Sequence, residues 1–75
     1  MMPLSLADIE QDNIIRRIGG SPEVKKHLEN LGITLCSELT VLSNSGGTVV
    51  CKVMDGRIAL DRNLSTKIFV AISGD

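Results

Sequence analysis

Tryptophan and tyrosine are absent from this 75-residue chain, and Phe69 is its single aromatic side chain. Its interior must therefore be assembled from Ile, Leu and Val. A groove walled by aromatic rings, which proline-rich peptides require, cannot be built on its surface. Neither sign of charge dominates: eight basic residues are balanced by nine acidic ones, without blocks of either. That excludes the basic excess or stripe of a nucleic-acid or anionic-membrane binder. Two cysteines, Cys36 and Cys51, are too few for a disulfide scaffold and lack the paired spacing of a metal site. A reducing, cytoplasmic setting is the default expectation. No basic segment leads into a long apolar run, so no signal peptide and no membrane span are expected. His27 is the lone histidine, and Gly19-Gly20 and Gly46-Gly47 lack a following Gly-Lys-Ser/Thr. Neither a nucleophilic triad nor a phosphate-cradling loop is therefore expected, and the chain does not read as an enzyme.

What is present fits one domain spanning residues 1–75. Below ~80 residues a single core seldom supplies more than ~3–5 kcal/mol net, so a partner, a metal or very economical packing is needed. The best-specified element is a helix over about residues 21–31. Ser21 can cap its start and Pro22 suits the first helical position. Glu23 complements the positive end of the helix dipole. Val24, Leu28 and Leu31 form one apolar stripe, with Lys25, Lys26, Glu29 and Asn30 elsewhere. Gly32 can turn left-handed and fold Ile33 back onto Leu28.

The strands read less evenly. Leu4-Ser5-Leu6 is a candidate edge strand. Residues 13–18 alternate, but both faces carry apolar side chains, so the inward face stays open. Asp55-Gly56 is a strong two-residue hairpin signal. It predicts Met54 opposite Arg57, Val53 opposite Ile58 and Cys51 opposite Leu60. A three-residue loop at Ser45-Gly46-Gly47 would set Ser43 opposite Val49, Val41 opposite Cys51 and Leu39 opposite Val53. Both turns then bury Leu39, Val41, Val49, Cys51, Val53, Ile58 and Leu60 on one face. Asp61 can cap a short helical turn over about 61–66, and residues 68–72 form a nearly continuous apolar strand before a Ser73-Gly74-Asp75 tail. Five or six short strands with one inserted helix predict a mainly β fold, a small, partly closed SH3-like barrel.

Leu4-Ser5-Leu6, Ile18-Gly19-Gly20, the helix ending Leu28-Glu29-Asn30-Leu31-Gly32-Ile33, and Arg57-Ile58-Ala59-Leu60 together resemble the FeoA family of ferrous iron transport proteins, in order and spacing. The resemblance covers nearly the whole chain. It implies an SH3-like barrel with an inserted helix. It also implies a small cytosolic accessory protein of bacterial iron transport, whose partner is the cytosolic part of the ferrous iron permease FeoB. A related domain ends the iron-dependent repressors of the diphtheria toxin repressor family, so a metal-responsive regulatory module, self-associating or not, is the alternative. One departure concerns the turn after Ile33. The family usually has Pro-Gly where this chain has Leu35-Cys36. A left-handed Cys36 would be strained by ~1–2 kcal/mol, so a turn of different shape is expected.

Cys36, Cys51 and His27 are the candidate ligands for a transition metal ion, thiolate and imidazole being soft or borderline donors. The predicted register places Cys51 in the core, where cysteine behaves as a small hydrophobe. His27 falls on the solvated side of the helix, so no metal site and no cofactor are expected. Arg16, Arg17, Arg57 and Arg62 include any arginine finger the chain could offer a GTPase partner, although outer-face charges are ordinarily solvated. The registers also turn Leu42, Val50 and Met54 to the outer side, which the stripe of the helix can cover only in part. Val50, Met54 and Arg57 are therefore the candidate partner-binding residues.

Overall fold

The computed structural model describes residues 1–54 and 56–74. Its strands are β1 (Met2–Pro3), β2 (Asp12–Ile18), β3 (Glu38–Ser45), β4 (Thr48–Val53), β5 (Gly56–Leu60) and β6 (Ile68–Ile72), with helices α1 (Pro22–Asn30) and α2 (Arg62–Ser65). They form one sheet in the order β1-β6-β2-β3-β4-β5, antiparallel throughout. Side chains from β2 to β6 share one interior with Leu4, Leu28 and Ile33. The sheet thus curls into a partly closed, SH3-like barrel whose edges, β1 and β5, are not joined.

The helix is delimited as its sequence predicts. Ser21 Oγ accepts from the Val24 N–H at 3.3 Å. At the other end the Ile33 N–H donates to the Leu28 carbonyl at 2.9 Å and the Gly32 N–H to that of Glu29 at 3.0 Å. Gly32 has φ +93°. Those two bonds and the left-handed residue make a Schellman ending, which turns Ile33 inward so that it and Leu28 are fully buried. The short helix is also present, its Leu64 N–H capped by Asp61 Oδ1 at 2.9 Å.

Both hairpins depart from their predicted registers, in different ways. Between β3 and β4, Leu39 faces Val53 and Val41 faces Cys51 as expected, but a bulge between Val41 and Ser43 shifts the remainder to Ser43–Val50 and Ser45–Thr48. The connection is then the two residues Gly46 and Gly47, both left-handed, at φ +61° and +94°. The extra residue at Leu42 is absorbed by the bulge, so the core pairs are unaffected. Between β4 and β5, Val53 pairs with Gly56, Cys51 with Ile58 and Val49 with Leu60. The Asp55-Gly56 turn is therefore not the one adopted. Asp55 itself lies outside the described residues, as does Asp75 of the tail. The left-handed residue is Met54, at φ +48°. A non-glycine residue there costs ~1–2 kcal/mol, but the observed ladder sets Val49 against Leu60, both fully buried. The slip is by two residues, so every side chain keeps its predicted face.

Two further corrections concern the N-terminal third. Leu4–Leu6 is a 3-10 turn, not an edge strand. In a strand Leu4 and Leu6 would point the same way. The turn instead buries Leu4 completely and leaves Leu6 69% exposed. In β2 the inward residues are Asn13 and Ile15, and a bulge between Ile15 and Arg17 then brings Ile18 opposite the buried Ile68. Both arginines are left outside. Asn13 is fully buried with its Nδ2 donating to the Gln11 carbonyl at 2.8 Å, while its Oδ1 has no hydrogen-bond partner.

The helix ending gives a direct test. Gly32→Val should lower unfolding stability by at least ~1 kcal/mol, because a β-branched residue cannot hold this φ cheaply. Lys26→Ala, on the exposed face, should be nearly neutral. Equal denaturation midpoints for the two variants would contradict the assigned helix end.

Candidate docking face

Alternation along β4 sends Val49, Cys51 and Val53 inward and so turns Val50 and Lys52 outward. Across the ladder Val50 faces Ala59 and Lys52 faces Arg57. Met54 follows the last residue of β4 and is 78% exposed. Val50 and Arg57 thus lie on one outer face with Lys52, and the left-handed Met54 is exposed in the turn that leaves β4. Leu42, expected beside them, sits in the β3 bulge and is half-buried.

The helix does not cover this face. Leu28 is fully buried in the interior, and Val24 and Leu31 pack against the same core, so the stripe closes the barrel rather than its outer side. This corrects the expectation of partial outer coverage, for the Schellman ending aims the helix inward. The N-terminal strand does not cover it either, because β1 pairs with β6 at the far edge of the sheet. A shallow depression of about 510 Å³ opens alongside, between Asp12, Glu38 and Thr40 on one side and Lys52 and Met54 on the other. Thr40 Oγ1 donates to Asp12 Oδ1 at 2.7 Å, which fixes that carboxylate at the rim. The face therefore runs from acidic residues on β2 and β3 to basic ones on β4 and β5.

The candidate metal ligands are placed in three different environments. Cys51 lies in the core, fully buried between Val41 and Ile58 on the neighbouring strands. Burial pushes its thiol up to about 11, from an ordinary 9.0, so it is protonated at neutral pH and a poor ligand. His27 is exposed on α1. Cys36 is exposed in the turn after Ile33. Among the described residues no group of three or more His, Cys, Asp or Glu side chains is arranged to hold a metal ion. Cys36 has φ +69°, which overturns the expectation of a differently shaped turn. The Ser37 N–H donates to the Thr34 carbonyl at 3.2 Å, and Ile15 on β2 bonds to both Cys36 and Ser37. Those ladder bonds hold Cys36 in the glycine-like conformation despite its Cβ.

The arginines are dispersed too. Arg57 on β5 is separated from Arg16 and Arg17 on β2 by two strands. Arg17 lies over the Phe69 ring at 5.7 Å, and Arg62 lies on α2 with its stem close against Gly47. The Arg17–Phe69 stack and the buried Asn13 left no trace in the alternation pattern. Only the bulge, which the sequence does not announce, puts Arg17 opposite Phe69.

Comparison with known proteins adds the family context. A model of the FeoA domain matches residues 2–72. A Methanocaldococcus jannaschii protein assigned as an Fe(2+) transport protein A is 31% identical over 70 residues, covering 93% of this chain and 85% of that protein. The crystal structure of an iron uptake regulatory protein (FeoA) superposes with a TM-score of 0.85 at 24% identity, covering 92% of this chain and 93% of the other. A manganese-dependent transcriptional repressor superposes at 0.83 with 20% identity, over 95% of this chain but 40% of its own. At that identity the repressor shows a shared fold alone.

Two substitutions test the cysteine environments. Because the Cys51 thiol titrates near 11 when folded and near 9 when unfolded, its contribution is fully present below about pH 9. It is lost as pH rises toward 11. Cys51→Val should be well tolerated at neutral pH and should flatten that alkaline decline. An identical alkaline slope in both proteins would contradict the buried thiol. Cys36→Gly should raise stability by up to ~1 kcal/mol, the relieved strain less the added chain entropy of glycine. A lower denaturation midpoint in that variant would show the turn to be unstrained.

Proposed function

The chain belongs to the FeoA-domain family, and from that premise we propose that it is a cytoplasmic, non-enzymatic accessory module of ferrous iron uptake, working by docking the cytosolic part of a FeoB-type permease. The observation that carries the docking reading is the outer face of β3–β5. It presents Met54 and half-buried Val50, with the helix committed to the interior. Exposed apolar side chains rimmed by charge are the usual makings of a contact surface, and methionine adapts to a partner's shape. Among the described residues no helix is long and apolar enough to cross a membrane. The family's metal-dependent structural relatives share the barrel, but here Cys36, Cys51 and His27 supply no common ligand set. In this proposal iron is the cargo of the partner.

Binding to the permease's cytosolic domain tests the proposal. A Val50→Asp, Met54→Asp double variant that stays folded should bind about tenfold more weakly or worse, as expected when the apolar centre of an interface is removed. Unchanged affinity would move the docking site elsewhere. No binding by the wild-type chain would remove the permease as partner.

A further inference from the structure

The two edges of the sheet are defended unequally. At one edge β1 is two residues long, includes Pro3 and passes directly into the 3-10 turn. Proline and brevity are ordinary protections against strand addition. At the other edge β5 is five residues long. It has no proline, and its ladder with β4 runs from Gly56 to Leu60 without a bulge. Its outer side meets no strand, and among the described residues no turn or loop backbone bonds to Gly56–Leu60. Leu60, fully buried, is held under the body of the protein. Gly56, Arg57 and Ala59 are exposed, and the inward-facing Ile58, packed against the core, is only partly buried. A free row of backbone donors and acceptors therefore ends in an apolar side chain that lacks complete cover.

Charge selects what can pair there. Lys52 and Arg57 sit directly opposite each other on the outer face, both exposed. Like charges at facing positions of an antiparallel pair repel. A second copy of this chain adding its own β5 would bring two such pairs onto one surface, which is unfavourable. A strand with a carboxylate beside Arg57 would neutralise the pair instead, while its next side chain, pointing inward, would cover Ile58.

We propose that the Gly56–Ala59 edge of β5 accepts an extended segment of a partner protein as a seventh strand, a segment alternating acidic and apolar side chains. The added strand gains backbone hydrogen bonds for affinity and takes its register from the Lys52–Arg57 pair and Ile58. This deepens the docking reading and rests on it only for the partner's identity.

The full isotope-labelled chain can be titrated with two synthetic eight-residue peptides, one alternating Val and Glu, the other Val and Lys. The Val-Glu peptide should shift the amides of Arg57–Ala59 and slow hydrogen exchange of those that β4 leaves free. The Val-Lys peptide should bind about tenfold more weakly at low salt. A Lys52→Glu, Arg57→Glu variant, altered only at exposed positions, should reverse that preference. Equal binding of the two peptides, no change along β5, or protection of β5 that grows with protein concentration alone would overturn the proposal. The last result would make a second copy the occupant. Permease binding that persists when neither peptide touches β5 would also overturn it, leaving the docking reading intact. Peptide binding at β5 without permease binding would uphold the edge and remove only the permease.

Discussion

The bond from the Ile33 N–H to the Leu28 carbonyl, made across Gly32, is the constraint on which the remaining architecture depends. With one aromatic residue in the chain, no single large side chain can fill the space inside the curled sheet. The interior is closed by aliphatic side chains delivered from outside the sheet: Leu28 and Ile33 from the two sides of the helix end, and Leu4 from the 3-10 turn. Gly32 makes the delivery possible, since only a left-handed residue reverses the chain tightly enough to bury both Leu28 and Ile33. Committing the helix to the interior has a consequence on the other side of the sheet. The outer face of β3–β5 is left without cover, so the same local geometry that completes the core leaves Met54 and Val50 available to a partner.

The fold was legible where local chemistry and burial agree. Ser21, Pro22 and Gly32 mark a helix whose caps need no tertiary information. The buried face of the hairpins was legible for a less obvious reason. The β4–β5 register differs from the one that Asp55-Gly56 favours by two residues, and the β3 difference of one residue is cancelled by the bulge at Leu42. A two-residue slip preserves every face, and a one-residue slip is tolerated only beyond a bulge. Core membership is therefore a sturdier inference than pairing, because inward positions are held by burial while the turn can give way.

What stayed hidden has the same physical origin. Left-handed Met54 is set by the β4–β5 ladder and left-handed Cys36 by the backbone bonds that it and Ser37 make to Ile15, not by their own preference, and no local signal predicts a residue held against its propensity. The bulge at Arg16 is likewise a tertiary compromise. It lets both Ile15 and Ile18 point inward and throws two successive arginines outward, giving Arg17 its ring contact with Phe69. Asn13 at a fully buried position reads as a surface residue by type. Of the candidate residues, alternation carries Val50 and Arg57 to one face, whereas Met54 lies in the turn at φ +48°, beyond the reach of alternation. The freedom of that face depends on where the helix packs, which the apolar stripe does not specify.

The central claim is that this chain commits its helix to the core, which leaves the outer β3–β5 face as the proposed docking surface. Backbone chemical-shift mapping of the full chain against the permease's cytosolic domain addresses it most directly. The account predicts perturbations concentrated at Val50, Lys52, Met54 and Arg57–Ala59, with the amides of α1 unaffected. Perturbations confined to the exposed side of α1, or to Arg17 and Phe69 on the opposite part of the sheet, would contradict it.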